Sequence, residues 1–558
     1  MAGTLERGHT HSNLLNKKIK IGVDEIICTL PNRKFQKGIT LVALVLTIIV
    51  IMILTMVSIN IIINKEIVNK AQVATDKYQE SDILEKINLA IMENKTEGDK
   101  TLLNNLQEIK NAEVEIKNTD AFYVTINEYS VTVYEDESIY LGKVQFWNGS
   151  ISTEFFHGTG TEEDPYIIKN CEDMAYLANE VNSGNNFEGK FFKLISNLDF
   201  GARNYGSKLN VPYIGMNSNT PFSGIFDGDN KHIRGILINQ NLLSNTNKGL
   251  FGYNKGKLKN IVISGESYIA SGQFANVGLI TGYNEGVVSN CKNFSNLTVT
   301  YGAYSQIGVL VGKNDNEITN CYNIGNIKSN SNISGVLGIN SKNASIKKCY
   351  NLGQITGSRI TGVAYENYGE VTNCYNKGNM NSTKESSGIV NCNRETGIII
   401  NCYNTGNARN GGICKYNSGI ISKSFNTGNI SCKGGTYIGG IVGINKKLVI
   451  YCYNIGNVEA GWQVGGIVGL GDSNSQVKNC YNIGIIKGSS HRNAITGNGP
   501  AGINCYYLDT ATKDSNSSVK SKTREELQSE EILTLLNDGE NVWIHDYNIN
   551  NGFPIIIN

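Results

Sequence analysis

The side chains whose type and spacing most suggest chemistry in this 558-residue chain are its thirteen cysteines. Eight recur at one place in a repeated phrase: Cys291, Cys321, Cys349, Cys374, Cys402, Cys452, Cys480 and Cys505. In one repeat we take Phe425 as the residue that replaces Cys, which fits a buried packing position and not a bonded one. Since Cys is readily buried, the pattern predicts a stacked ladder of free thiols. Adjacent coils could still bring some Cα pairs within disulfide range. No Cys-x-x-Cys pair occurs, which argues against zinc or thioredoxin-like chemistry.

Patterns for catalysis are sparse. The six histidines, at 9, 11, 157, 232, 491 and 545, form no His-Glu-x-x-His motif. Asp199, Asp227 and Asp229 are the densest carboxylates, and clustered carboxylates bind Ca²⁺ or act as an acid/base pair on polysaccharides. We favour turn chemistry for them, because Asp-Gly-Asp-Asn is a turn sequence. We therefore predict no enzyme, no catalytic residue, no cofactor and no metal, with a polysaccharide-active β-helix enzyme as the least favoured alternative.

The element that positions the cysteines is a repeat. Anchor positions from 291 to 505 are separated by 22 to 30 residues, and a period of this length is the signature of a solenoid or propeller. About 27 residues are too few for a four-stranded propeller blade, and no segment has helical periodicity. The sequence therefore predicts a mostly β fold, a parallel β-helix with two or three short strands per coil. Ile, Val and Leu would form its inward ladder, and Asn and Gly its corners.

The two repeated phrases resemble a known family. Asn320-Cys-Tyr-Asn-Ile-Gly-Asn326 alternates with phrases such as Gly308-Val-Leu-Val-Gly312 and Gly439-Gly-Ile-Val-Gly443. Together they resemble the GLUG-motif repeats of bacterial surface and secreted proteins. The resemblance extends from Gly158-Thr-Gly-Thr-Glu-Glu-Asp-Pro-Tyr166 to Trp543 and Asn551-Gly-Phe-Pro554, about 400 residues. It implies the β-helix fold and an adhesion-like role.

A membrane segment is predicted near the front of the chain. Residues 39–63 carry no charge, and a helix of 25 residues, about 37 Å long, is enough to cross a bilayer core. Arg33, Lys34 and Lys37 precede it, which favours a cytoplasmic N-terminus. The run ends in Val57-Ser-Ile-Asn60, which does not fit a signal-peptide cleavage site. A plain transmembrane anchor remains open.

The residues just before this segment resemble a processing signal. Lys37-Gly38-Ile39-Thr40-Leu41, followed by the apolar run, resembles the type IV prepilin cleavage and methylation signal. The resemblance implies that a prepilin peptidase cuts between Gly38 and Ile39 and that Ile39 becomes N-methylated. Ala43 stands where pilins carry Glu, so cleavage is expected while polymerisation is left open, as is the true start codon.

The remaining signals predict several helices and strands outside the repeats and divide the chain into six regions. We expect a helix around 102–109 and strands near 122–126, 130–134 and 138–146, a helix from Asn170 through Val181, and a capping box at Thr523-Arg-Glu-Glu526 that opens a helix to about Leu536. The regions are a leader (1–38), a prepilin-like hydrophobic and amphipathic helix (39–94), a small pilin-like α+β unit (95–156), a lead-in to the β-helix (157–248), the GLUG-type repeats (249–508) and a C-terminal capping segment (509–558).

The charge distribution bears on partners. Net charge is +1, but residues 286–506 contain 19 Lys/Arg against 8 Asp/Glu. A basic face for anionic glycans or wall polymers is one interpretation, and the favoured one is that the lysines keep a β-rod soluble. No nucleic-acid motif occurs. We expect a non-enzymatic single-pass membrane protein with its C-terminal bulk outside the cell, acting as an adhesin-like binder or spacer. The alternative is a minor pilin or pseudopilin of a type IV pilus or type II secretion-like machine.

Overall fold

The computed structural model describes residues 81–92, 101–118, 121–126, 129–134, 139–141, 147–201, 211–239, 247–270, 275–300, 306–512 and 514–557. The chain divides into two compact units, Met1–Leu89 and Ala90–Asn558. Of the predicted 39–94 helix, residues 81–92 are described, and they are helical (α1). The predicted span 39–63 lies outside the described residues. Among those described, no helix has the length and apolar character needed to cross a membrane.

A small antiparallel sheet precedes the repeats. Helix α2 (Leu102–Glu108) begins at Thr101, whose hydroxyl accepts a hydrogen bond from the Asn104 amide. Four strands follow in sequential order: Ala112–Asn118, Ala121–Ile126, Tyr129–Tyr134 and Ile139–Leu141. The helix and the two middle strands agree with the prediction. The first strand was not predicted, although its apolar residues Ala112, Val114 and Ile116 alternate with charged ones. Of the predicted 138–146 strand, Ile139–Leu141 lies within the described residues.

Between Tyr166 and Lys522, the described residues wind into the predicted parallel β-solenoid. It has about 11 turns of about 28 residues. Successive turns pair in parallel, and each adds strands to up to four sheets, where the sequence predicted two or three strands per coil. The lead-in region already contributes strands, and helix α3 (Cys171–Asn182) packs Met174, Leu177 and Val181 into the same core.

We name the sheets I to IV. Sheet I contains Tyr166–Ile168, Phe191–Leu194, Ile225–Asp227, Lys257–Lys259, Val287–Ser289, Glu317–Thr319, Ser345–Lys347, Glu370–Thr372, Ile398–Ile400, Ile420–Ser422, Leu448–Ile450 and Gln476–Lys478. Sheet II contains Leu198–Asp199, His232–Arg234, Val262–Ser264, Lys292–Asn293, Tyr322–Asn323, Tyr350–Asn351, Tyr375–Asn376, Tyr403–Asn404, Phe425–Asn426, Tyr453–Asn454, Tyr481–Asn482, Tyr506–Leu508 and Lys520–Lys522.

Sheet III contains Phe251–Asn254, Thr281–Asn284, Val311–Asn314, Leu337–Asn340, Ala364–Asn367, Val390–Asn393, Cys414–Asn417, Val442–Asn445, Val468–Gly471 and Thr496–Asn498. Sheet IV has two parts. The first contains Leu237–Asn239, Asn247–Lys248, Glu266–Ala270, Asn276–Val277, Asn296–Thr300, Gln306–Gly308, Ile327–Ser334, Ile355–Thr361 and Met380–Ser387, and the second Ile430–Gly439, Val458–Gly465, Ile486–Lys487 and Ser490–Asn493.

The core is a stack of like residues. The central residue of each repeat strand in sheet I is at most 3% exposed: Leu258, Val288, Ile318, Ile346, Val371, Ile399, Ile421, Val449 and Val477. Because each pairs in register with the next, every coil buries its apolar side chain against a Leu, Val or Ile of the adjacent coil. Repetition of one short phrase is therefore enough to build a continuous core.

The register corrects one prediction about the cysteine ladder. Phe425 pairs with Tyr403 on one side and Tyr453 on the other, so it occupies a tyrosine position. Ser424 occupies the cysteine position, and its hydroxyl accepts a 3.2 Å hydrogen bond from the Cys402 amide. The prediction that Phe425 replaces Cys is wrong. A one-residue shift turns a strand residue to the opposite face, and only this register keeps the aromatic ring outside.

The C-terminal segment covers the last turns. The capping box at Thr523 is present, but helix α4 (Arg524–Leu527) ends early and α5 (Glu530–Asn537) begins at a second cap, Ser529. One helix was predicted here. A two-stranded hairpin, Trp543–Ile544 with Ile555–Ile556, follows, and a short 3₁₀ turn, Asn550–Gly552, joins its arms.

Candidate functional site

The repeated phrase Asn-Cys-Tyr-Asn builds one corner and one face of the solenoid. Its first residue turns the corner between sheets I and II with φ between 49° and 55°. Asn tolerates this left-handed conformation better than most residues. In the strand that follows this corner residue, successive side chains point to opposite faces of the sheet. Cys therefore points inward, Tyr outward and the second Asn inward. The corner residues are Asn260, Asn290, Asn320, Lys348, Asn373, Asn401, Lys423, Tyr451, Asn479 and Asn504.

The outward residues form a continuous aromatic stack, which we call the tyrosine ladder. It comprises Tyr322, Tyr350, Tyr375, Tyr403, Phe425, Tyr453 and Tyr481. Consecutive ring centroids are 4.5–5.1 Å apart and the ring planes differ by at most 7°. Because each ring face is covered by the next ring, the exposed part of the ladder presents ring edges and phenol hydroxyls.

A buried amide ladder fixes the tyrosines from below. Its residues, Asn293, Asn323, Asn351, Asn376, Asn404, Asn426, Asn454 and Asn482, are fully buried. Each side-chain amide donates to the Oδ1 of the next at 2.7–2.8 Å. The glycine two residues after Asn404 is required because the backbones of adjacent coils approach closely there. A Cβ on Gly406 would lie 2.1 Å from the Gly378 carbonyl oxygen. A fully satisfied network of this kind rigidifies the face above it.

A groove of about 650 Å³ runs along the open part of this ladder. Its lining residues are Tyr322, Tyr350, Tyr375 and Lys292, together with Asn230 and the corner residues from 260 to 373. Lys348 is one of those corner residues. Of the ten residues that line the groove, two are lysines and none is a carboxylate. The groove therefore combines positive charge with amide and phenol groups.

The phenols act as hydrogen-bond donors. Burial and the neighbouring phenols of Tyr375 and Tyr322 raise the pKa of Tyr350 to about 12. Burial also raises the pKa of Tyr322, Tyr375 and Tyr403. The hydroxyls therefore stay protonated at neutral pH and can donate to carboxylate, phosphate or hydroxyl oxygens.

The C-terminal segment covers the other end of the ladder. The Trp543 ring lies 5.9 Å from Tyr453 and 5.5 Å from Tyr481. The Tyr481 hydroxyl donates a 2.6 Å hydrogen bond to the Pro554 carbonyl. The groove is therefore open along Tyr322 to Tyr375 and closed at the capped turns.

The aspartates named from the sequence are held in turns and ion pairs. Asp227 accepts a 2.9 Å hydrogen bond from the Asp229 amide and lies 2.7 Å from Lys259, while Asp229 lies 3.6 Å from Lys193. Asp199 is buried and accepts a 2.7 Å hydrogen bond from the Tyr134 hydroxyl. These contacts agree with turn chemistry at Asp227 and Asp229.

The remaining sequence candidates are dispersed. Among the described residues, no three His, Cys, Asp or Glu side chains could hold a metal ion. The repeat cysteines lie buried as free thiols, and burial raises the pKa of Cys291 and Cys321 well above the usual value. Gly38 and Ile39, the predicted cleavage and methylation site, lie outside the described residues.

The excess basic residues do not form one uniform positively charged face. Lys415 lies 2.5 Å from Glu385, Arg394 lies 2.8 Å from Glu366, and Lys313 lies 3.4 Å from Asp315. Lys292 and Lys348 belong instead to the carboxylate-free groove. Sequence analysis did not single out the groove, although the alternation within Asn-Cys-Tyr-Asn places Tyr on the outer face and could have predicted the ladder.

Comparisons with known proteins assign the chain to no family. No family model matches the chain. A candidate Gly-rich membrane protein of Evansella cellulosilytica is 30% identical over 132 residues, which are 23% of this chain and 14% of that protein. The chain therefore spans a small part of this relative. A crystal structure of a candidate immunoglobulin A1 protease from Bacteroides ovatus aligns over 72% of this chain and 95% of its own, with 19% identity and a TM-score of 0.28. A score this low carries no argument about function.

Proposed function

We propose that this protein is an exported, surface-displayed rod that binds an extended anionic glycan along the tyrosine ladder and catalyses no reaction. The carrying observation is the groove at Tyr322, Tyr350 and Tyr375, which has Lys292 and Lys348 and no carboxylate among its lining residues. Successive rings of the ladder are 4.5–5.1 Å apart, so phenol hydrogen-bond donors recur at this spacing along the rod. Weak contacts repeated along a polymer add up through multivalency.

The geometry also favours one class of polymer. Single-stranded nucleic acids bind proteins by stacking bases on exposed aromatic faces, but here the inner rings cover one another. Neutral glycans use the same faces for their C–H groups. An acidic glycan can instead accept hydrogen bonds from the phenols and pair with the lysines.

Placement at the surface is supported by the sequence of residues 39–63, which lie outside the described residues, and by the word membrane in the name of the Evansella relative. A second candidate is a minor pilin or pseudopilin whose solenoid decorates a pilus or secretion machine. The observation that favours it is Lys37-Gly38-Ile39-Thr40-Leu41. The two candidates differ in whether Ile39 becomes a processed N-terminus.

Binding to immobilised polymers tests the proposal. The full chain in detergent should bind alginate and hyaluronan and bind dextran weakly, with affinity that falls as salt rises. The Lys292→Gln/Lys348→Gln variant should weaken alginate binding about 3- to 30-fold, because each exposed ion pair contributes up to about 1 kcal/mol.

The matched control is Lys446→Gln/Lys487→Gln, which removes two exposed lysines of the same solenoid outside the groove. It should bind like the parent chain. Equal losses in both double variants would mean that net charge and not the groove carries binding. No binding to any acidic polymer would reject the proposal.

A further inference from the structure

A second row of side chains runs beside the tyrosine ladder, on the side opposite the corner residues. Its members stand two residues after the ladder positions, and the backbone amide of each donates to a backbone carbonyl of the preceding coil. None of them lines the groove. The row, which we call the flank row, contains Phe294, Ile324, Leu352, Lys377, Thr405, Thr427, Ile455 and Ile483.

The C-terminal end of the flank row is apolar and covered. Ile455 and Ile483 pack against the cluster that contains Trp543 of the C-terminal segment. The three middle members of the row are polar, and their coils pair as regularly as the others. The solenoid therefore does not need an apolar side chain at this position, and the two isoleucines are explained by the segment that covers them.

The N-terminal end of the row is apolar and exposed. Phe294, Ile324 and Leu352 are each between 36% and 41% exposed, and the Phe294 ring lies 6.2 Å from Tyr322 in an edge-on arrangement. The sequence Cys-Tyr-Asn-Ile-Gly around Ile324 also surrounds both covered isoleucines. Since polar side chains serve the middle coils, exposed apolar side chains in adjacent coils indicate a surface that meets a partner.

The C-terminal segment carries a second group of exposed apolar side chains. Ile544, Tyr547 and Ile549 are 39%, 75% and 51% exposed, whereas Trp543 is buried against the ladder. The segment therefore has apolar side chains toward its own solenoid and others toward solvent. Because the middle coils separate this group from the open end of the flank row, the two groups can meet when they belong to different copies of the chain.

The charges around the two groups are complementary. Between Thr523 and Asn558 the chain has seven Asp or Glu residues and one Arg. The open end of the flank row is bordered by lysines instead, since Lys292 stands two residues before Phe294 and Lys377 is the next member of the row after Leu352. Opposite charges steer a segment toward this end of the row and oppose contact between two like surfaces.

We propose that the C-terminal segment of one copy docks, through Ile544, Tyr547 and Ile549, on the open end of the flank row of a second copy. Because the two surfaces differ, the contact is heterologous, and every pair keeps one free surface of each kind to which further copies can add. The surfaces are small, so the contact is weak and depends on a high local concentration. This goes beyond the glycan function proposed for the groove, because it assigns a self-association surface on the other side of the ladder.

Sedimentation of the full chain in density-matched detergent tests the proposal. The average mass should rise with protein concentration beyond that of a pair, and it should fall when salt is added. Ile324→Thr/Leu352→Thr and Ile544→Thr/Ile549→Thr should each raise the concentration needed for association about tenfold or more. The first of these variants should keep the parent melting temperature, because threonine already occupies two positions of the row.

A mixture of the two variants tests whether the contact is heterologous. Each variant supplies the surface that the other lacks, so an equal mixture should form pairs and stop there at a concentration where neither variant associates alone. The matched control is Tyr416→Thr/Trp462→Thr, which removes two exposed aromatic side chains from sheets III and IV. It should associate like the parent.

Three results would overturn the proposal. The parent chain could stay monomeric at every concentration, or the mixed variants could fail to pair. The third is association of the Ile544→Thr/Ile549→Thr variant at the level of the parent, which would mean that flank rows meet each other. All of these measurements are made without a glycan, so they are independent of the function proposed for the groove.

Discussion

The side-chain amide of Asn404 donates a 2.8 Å hydrogen bond to Oδ1 of Asn426, 22 residues along the chain. This is the shortest coil of the array, yet the bond matches the others in the amide ladder. This coil is shorter because sheet IV is interrupted there, whereas the corner between sheets I and II keeps its full length. The sheet II strand with its amide-ladder asparagine is therefore the constant part of these coils, and sheet IV is the variable part.

The first prediction concerns this amide. Asn404 also donates to the Gly406 carbonyl at 2.7 Å and accepts from Asn376 at 2.7 Å. Asn404→Ala should lower the free energy of unfolding by about 2–3 kcal/mol, because buried partners lose their hydrogen bonds. Asn407→Ala is the control, since exposed Asn407 accepts one hydrogen bond from the Asn429 amide; it should lose less than about 1 kcal/mol. Urea titration measures both, and equal losses would contradict the prediction.

The second prediction separates the two registers at Ser424. Ser424 is fully buried beside small cysteine neighbours, whereas Phe425 is partly exposed. Ser424→Phe should destabilise the fold by about 1–3 kcal/mol or more through overpacking, while Ser424→Cys and Phe425→Tyr should be nearly neutral. Thermal melts of the three variants decide between the registers. Tolerance of Ser424→Phe together with unfolding of Phe425→Tyr would restore Phe425 to the cysteine position.

Sequence alone predicted the architecture because the repeat carries it. The period, the Ile/Val/Leu phrase and the absence of helical spacing are all local, and each coil repeats the same solution. The helix at Asn170 and the capping box at Thr523 were also readable from side-chain preferences at helix starts. Phe425 was misplaced because one repeat has neither Cys nor Tyr, and a one-residue register choice needs the neighbouring coils.

The candidate sites were harder to predict. The groove depends on which end of the ladder the C-terminal segment covers, and this follows from tertiary packing of Trp543 and not from any motif.

The third prediction concerns the cap over the ladder. Trp543 is 1% exposed and packs on Tyr453 and Tyr481. Trp543→Ala should cost about 3–5 kcal/mol and promote self-association, because the last rungs would be exposed. Tyr547→Ala changes an aromatic residue of the same segment that is 75% exposed, and it should cost less than about 0.5 kcal/mol. Calorimetry with light scattering measures both effects. A monomeric variant of parent stability would show that the cap is dispensable.

The fourth prediction is a pH dependence at Asp227. Burial opposes its ionisation, but hydrogen bonds from Lys259, Asn260 and the Asp229 amide outweigh burial, so its pKa lies below the usual value. The ionised carboxylate therefore stabilises the fold above a pH of about 4, and this contribution disappears as the pH falls through the folded-state pKa. Asp227→Asn should reduce stability at neutral pH and flatten its fall in acid. Melting curves from pH 2 to 6 measure this, with Asp229→Asn as the control, and an unchanged slope would contradict the prediction.

The last prediction concerns the N-terminus of the mature chain. The prepilin-like sequence at Gly38 and Ile39 predicts cleavage between them, so the membrane-fraction protein should begin at N-methylated Ile39. Mass spectrometry of the intact chain and its N-terminal peptide detects both the cut and the added 14 Da (about one methyl group). Gly38→Leu should block processing, whereas Ala43→Glu should leave it intact and restore the residue that pilins carry. A wild-type chain that keeps residues before Gly38 would make 39–63 a plain anchor, and the rod would then be tethered and not processed through the prepilin pathway.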